Sequence, residues 1–239
     1  MNYLLSDYTY PRRRTDIAPT TTGRSAPPTY GPTGIHTVRP GMYVAFALDP
    51  AALVGRSLHA NNDLLATFPT QKFVGVVKDA TIIQSGNNRV LDVMVMFVSG
   101  TLPPSSTFLG LDRVLIAPAT RNVSPYDGMA PLETGEPFPW EGVFQWTSLG
   151  VKLRITHFYS STRHFALDHA IWRQLETRII EPDVESMERL RECGRLVDVD
   201  PVLTLGATLL PARMWTDISL VDDIRNPAAF AVEVNDVVA

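Results

Sequence analysis

The chain has 239 residues, 45% of them hydrophobic and 19% charged, with a formal net charge of −4 and a mean hydropathy of +0.02. A chain of this length and apolar content buries a sizeable core, as one large domain or a medium domain with a smaller second, and is not disordered as a whole. The single cysteine, Cys193, excludes an intrachain disulfide, a paired redox motif and a cysteine-built zinc cluster.

No positively charged, then apolar leader opens the sequence, and no run reaches the roughly 18 apolar residues that span a bilayer. The expected setting is therefore soluble and cytoplasmic, with no membrane partner. The charge is unevenly spread. Arg12, Arg13, Arg14, Arg24 and Arg39 face only Asp7 and Asp16 in the first forty residues, which leaves +3 there and −7 on the rest. A basic arm on an acidic body suits nucleic acid or an acidic protein surface, but one RRR run is a short electrostatic handle and fixes neither.

Residues 1–37 read as an extended arm. Pro11, Pro19, Pro27, Pro28 and Pro32 block helix and central strand alike, and no apolar period runs through the segment. Such an arm is expected to order only against another surface. From residue 38 to 117 the pattern becomes short β-type runs at Met42–Leu48, Phe73–Lys78, Val90–Val98 and Arg113–Ala117, punctuated by Pro40-Gly41, Gly86-Asn87-Asn88, Gly100 with Pro103-Pro104, and Gly110-Leu111-Asp112. This is the rhythm of a small antiparallel β-barrel or sandwich. The run around Asp92 is apolar on both faces, so its strand is expected at the centre, with Asp92 at a rim or interface.

Residues 118–141, with five prolines, read as a loop-rich linker or surface excursion. Residues 142–239 form an α+β part. A period-two strand runs from Val151 to Phe158. A helix follows, with Ser161 or Thr162 as N-cap and a stripe of Leu167, Ile171, Leu175 and Ile179 that ends before Pro182. Asp183 caps a second, shorter helix that ends at Gly194. Short strands are expected again at 196–205, 208–215 and 230–234. The fold class is thus α+β, mainly β: an arm, a barrel or sandwich, and a C-terminal α+β part with two helices.

Candidate chemistry is sparse. His164 and His169 are five residues apart, about 140° around a helix, so they do not share a face as an HxxxH metal pair does. Asp198-Val199-Asp200 matches the metal-holding DxD of sugar-nucleotide transferases, but no nucleotide-binding βαβ unit or glycine-rich phosphate loop precedes it, and solvated carboxylates at a strand rim are the simpler reading. No GxSxG or SxxK marks a nucleophile. Cys193 lies at a helix C-terminus, where the dipole raises a thiol pKa. Arg163, Arg173 and Arg178 alternate with Asp168 and Glu176, which is a solvated face rather than a nucleic-acid surface. No metal, cofactor or enzymatic activity is expected, and nucleic acid is not the expected main partner.

Val38-Arg39-Pro40-Gly41 opening a strand, Phe73-Val74-Gly75-Val76-Val77, a long β-run closing on Ser99-Gly100 with a proline turn, and Gly110-Leu111-Asp112-Arg113-Val114 occur here in that order. This order over residues 35–117 resembles the small β-barrel decoration or cement proteins of tailed-bacteriophage heads. The resemblance implies a non-enzymatic virion protein on the capsid surface. It would be made in the host cytoplasm, commonly be a homotrimer, and bind the major capsid protein through its arm, where Tyr8, Tyr10, Arg12, Arg13, Arg14, Arg24 and Tyr30 are the candidate contacts. Two alternatives remain open: another phage component from the tail, neck or baseplate, and a β-barrel carbohydrate-active enzyme using Asp198 and Asp200.

Overall fold

The computed structural model describes residues 38–54, 70–85, 88–101, 114–116, 132–177 and 209–238. It is α+β and mainly β. In chain order the described elements are β1 (Tyr43–Leu48), α1 (Pro50–Val54), β2 (Phe73–Ser85), β3 (Asn88–Ser99), β4 (Val114–Ile116), β5 (Phe144–Tyr159), α2 (His169–Glu176), β6 (Leu209–Trp215) and α3 (Pro227–Val238).

Five strands pair in a closed ring. β1 pairs β2, β2 pairs β3, β3 pairs β5, β5 pairs β6, and β6 returns to β1, while β4 adds to β5 beside β6. The described pairs within residues 38–117 are antiparallel as expected, and of all the pairs in the ring only β5–β6, in the C-terminal part, is parallel. The reason lies in the connection. A parallel neighbour needs a long crossover, and the chain between Tyr159 and Leu209 supplies one before β6 slots between β1 and β5. The ring also takes strands from both sides of the 118–141 stretch. Residues 38–117 provide three of its five strands and do not close it alone. The expected division between a barrel domain and a separate C-terminal part is not a seam in the sheet.

Because the ring is covered outside as well as filled inside, several strands are apolar on both faces. All six residues of β1 are buried. Val44, Phe46 and Leu48 point inward with Phe73, Phe97, Val151, Leu153, Leu210 and Met214. Tyr43 and Ala45 point outward into a second cluster with Val74, Val76, Phe138, Trp140, Phe165, Trp172 and Ile218. Period-two alternation places one residue in each core. β3 is central as its sequence implied, and Asp92 is half-buried beside β5, where Arg154 grips it through Nε and Nη2 at 2.9 and 2.8 Å.

Two glycines are demanded by geometry. Met42 N donates to Arg39 O, with Pro40 and Gly41 at the turn and Gly41 at φ 84°, so Pro40-Gly41 makes a type II reversal that delivers the chain into β1. A Cβ on Gly75 would sit 2.4 Å from Val95 Cγ1 and 2.5 Å from Met96 O, so β2 and β3 approach too closely there for any side chain.

Several expectations are corrected. β2, β3 and β5 are longer than their apolar runs: the far end of β2 is exposed and held by its ladder with β3, whereas β5 has buried Gln145, Trp146 and Thr147 near its start and β3 ends on buried Ser99. Residues 132–141 are no free linker. Leu132, Phe138 and Trp140 are buried as part of the outer cover. The helix in this region starts at His169 with Asp168 as N-cap, whose carboxylate accepts from Ala170 N at 2.8 Å. Ser161 is used otherwise, its Oγ accepting from Arg163 N and its N donating to Thr216 Oγ1. Leu167 is not helical but bridges Thr134, and Trp172 and Leu175 are the buried residues of α2.

The expected strand at 230–234 is helix α3. Asn226 caps it, with Oδ1 accepting from Ala228 N at 2.9 Å. Pro227, read from sequence as a breaker, occupies the first turn, where its missing N–H costs nothing. The expected strand at 208–215 is β6. The expected helix at 183–194 and strand at 196–205 lie outside the described residues.

Candidate functional site

β2 and β3 run past their partners as a two-stranded ribbon. β1 pairs β2 from Phe73 to Val76, and the last backbone bonds to this edge are Gly41 N to Val77 O and Met42 O from Val77 N. On the other side β5 pairs β3 only as far as Leu91. The ribbon continues from a bulge between Val77 and Asp79 out to the pair Ser85 and Asn88. Thr81, Ile82, Ile83 and Gln84 are all exposed.

Ile82 lies opposite Leu91, which faces the ring interior, and Ile83 lies opposite Val90 on the other face. The two isoleucines are 38% and 40% exposed on opposite faces. Among the described residues no strand covers the outer edge of β2 beyond Val77. A ribbon of two strands is marginal alone, and an uncharged stretch such as Ala80–Ser85 with an open edge is the type of surface that pairs with another chain.

A second feature is polar. Asp49, just past β1, is buried. Its carboxylate accepts from Thr156 Oγ1 and lies 3.3 Å from His157 Nδ1, while Thr156 Oγ1 also lies 3.0 Å from Ala212 O and 3.2 Å from the same His157 nitrogen. A hydroxyl, an imidazole and a carboxylate meet here, but not as a relay. A nucleophile–base–carboxylate triad uses the two ring nitrogens separately, whereas both groups address Nδ1, and the hydroxyl proton is committed to Asp49 or Ala212. The cluster therefore pins the bulge in β5 between Ile155 and His157 against the end of β1.

Next to it, Arg213 Nη2 donates to Leu48 O at 3.5 Å and to Thr70 Oγ1. Lys72 Nζ stands 4.7 Å over the Trp215 ring, which stacks on Tyr159 at 5.0 Å and 8°. Burial lowers the Lys72 pKa, opposed by Asp222.

No family model, no curated protein and no solved structure matches the chain.

The arm residues Tyr8, Tyr10, Arg12, Arg13, Arg14, Arg24 and Tyr30 lie outside the described residues, as do Asp198, Asp200 and Cys193. Of the described histidines, His164 and His169 are exposed, and among the described residues no three of His, Cys, Asp and Glu are gathered as a metal cage. No described helix is long and apolar enough to cross a membrane. Sequence reasoning missed the ribbon because the apolar pattern of β2 fades after Val77. The signal that would have found it is in the sequence: a neutral, β-branched stretch Thr81-Ile82-Ile83 that runs into the turn-forming Gly86-Asn87-Asn88.

Proposed function

We propose that this chain is a non-enzymatic virion structural protein, a capsid decoration or cement protein. In this reading it is a homo-oligomer, with a trimer favoured, that binds the major capsid protein on the capsid surface and stabilises the shell. The arm carrying Tyr8, Tyr10, Arg12, Arg13, Arg14, Arg24 and Tyr30 and the β2–β3 ribbon make the contacts. One observation carries the reading beyond the sequence resemblance. Among the described residues the ribbon has an open β-edge with isoleucine on both faces, and the ring behind it is packed inside and out. A surface of that kind adds a strand to a neighbour, with main-chain hydrogen bonds for affinity and apolar side chains for fit. Bound copies stabilise a shell by mass action.

Add-back to phage shells lacking the protein tests this. Wild-type protein is expected to decorate the shells and raise the temperature at which they open. Ile82→Ser with Ile83→Ser, and deletion of residues 1–36, are each expected to lower occupancy. Replacing the three arginines at 12–14 by serine should cost less, and its effect should fade above about 0.15 M salt, where exposed charges are screened beyond about 8 Å. Full occupancy and protection by both the ribbon variant and the truncation would overturn the assignment of contacts. Monomeric protein that associates with no virion particle would overturn the function.

A further inference from the structure

Helix α3 closes the ring with apolar residues, yet carries one carboxylate into the contact. Phe230, Ala231 and Val234 join the inner core, and the Phe230 ring meets Phe46, Phe73 and Phe97 at 5.6, 5.0 and 5.6 Å. Glu233, one turn on, is only 6% exposed. Its Oε2 accepts from Gln71 N at 3.2 Å, which ties the segment entering β2 to the helix. Among the described residues its Oε1 has no hydrogen-bond partner, nor has the buried Nε of Arg213.

We propose that Glu233 makes the seating of α3 on the ring depend on pH: protonation of its carboxyl favours the seated helix, and ionisation favours release. The inference does not rest on the virion reading.

A charged carboxylate needs several donors when it leaves water, and among the described residues this one receives a single hydrogen bond. The charged groups around it do not repair this. On β6, Arg213 favours the charged form, but it donates to Leu48 and Thr70 and forms no ion pair within 4 Å of Glu233 among the described residues. On α3 itself, Asp236 opposes the charge. In the strap before β2, Lys72 is directed over Trp215. On β3, Asp92 is held by Arg154, leaving Arg89 towards the hairpin turn, and α1 carries no charged residue. Burial accordingly pushes the Glu233 carboxyl up to about 7 from an ordinary 4.5.

In the released helix the group returns to water and to its ordinary value, so the seated state holds the proton more tightly. Between those two values each rise in pH favours release, and the trend levels off once both states are ionised. Release would uncover the phenylalanine cluster.

Hydrogen exchange of the full chain, corrected for the intrinsic pH dependence of amide exchange, reads this directly. The amides of α3 should exchange faster than those of β1 and β3 at every pH, and their opening should increase about tenfold from pH 6 to pH 8. In Glu233→Gln, which keeps the shape without the charge, that increase should vanish. A carbon-13 titration of the wild-type carboxyl gives a check that needs no variant, with a midpoint expected near 7. A midpoint at the ordinary glutamate value, an increase that persists in Glu233→Gln, or α3 amides that exchange only together with β1 would each overturn the proposal.

Discussion

Tyr43 shows how a single residue can be right for packing and costly in its chemistry. Its side chain is fully buried, and its ring meets Phe138 edge-on at 4.9 Å, an arrangement worth roughly 0.5–1.5 kcal/mol beyond area burial. The hydroxyl has no hydrogen-bond partner among the described residues, and burial pushes the phenol pKa well above its ordinary value. An unsatisfied buried hydroxyl costs about 1–3 kcal/mol. Tyr43→Phe keeps the ring and removes the orphan, so it should leave stability unchanged or raise it by up to about 2 kcal/mol in urea unfolding. A loss above 1 kcal/mol would mean that the hydroxyl has a partner. Gln145 is the mixed case, because its buried Oε1 has no hydrogen-bond partner among the described residues while its amide nitrogen is well used. Its Nε2 donates to Met96 O, Phe97 O and Trp146 O, holding β3 and β5 together at the register shift between Met96 and Val98.

At the scale of elements, α2 depends on its cap more than on its stripe. It has eight residues and buries only Trp172 and Leu175, so it lies below the length at which a helix is stable alone. Asp168 satisfies the Ala170 N–H and places a negative charge at the positive end of the dipole, and Trp172 packs against Gly41 at the turn into β1. Asp168→Ala should cost about 1 kcal/mol and be read as faster amide exchange at residues 169–172, while Asp168→Asn should recover most of it. Equal protection in wild type and Asp168→Ala would shift the credit to Trp172 packing. The ribbon behaves in the opposite way. Its tip contributes little burial, so the Ile82 and Ile83 substitutions should alter association and not the unfolding free energy by more than about 0.5 kcal/mol.

For the whole molecule, Glu233 makes a contribution to stability that falls as pH rises. A carboxyl raised from 4.5 to about 7 in the folded chain contributes stability that is fully present below 4.5 and is lost as pH rises through 7. At about 1.4 kcal/mol per unit, the loss comes to about 3 kcal/mol by pH 8. Urea unfolding at pH 5 and pH 8 should therefore show the wild type weakening more than Glu233→Gln, and the difference between the two proteins isolates this carboxyl from the other titrating groups. Parallel pH profiles would assign the response elsewhere.

The sequence by itself determined the fold class and the five β-regions of the ring. Tyr43–Leu48, Phe73–Val77, Leu91–Val98 and Val151–Phe158 carry their apolar signal locally, residue by residue, and Leu209–Trp215 was legible despite Pro211. Tertiary structure decided the rest, because the deciding contacts are distant in the chain. Residues 230–234 alternate like a strand, yet Asn226 caps a helix there and the open end of the ring accepts its apolar side. Leu167 fits a helical stripe, yet its N–H bonds Gly41 O in extended backbone. The parallel β5–β6 pair needs strands that no local period relates. The ribbon was illegible because pairing, not burial, holds it. Glu233 was illegible as a buried carboxyl because its burial exists only once α3 meets the ring and the segment before β2.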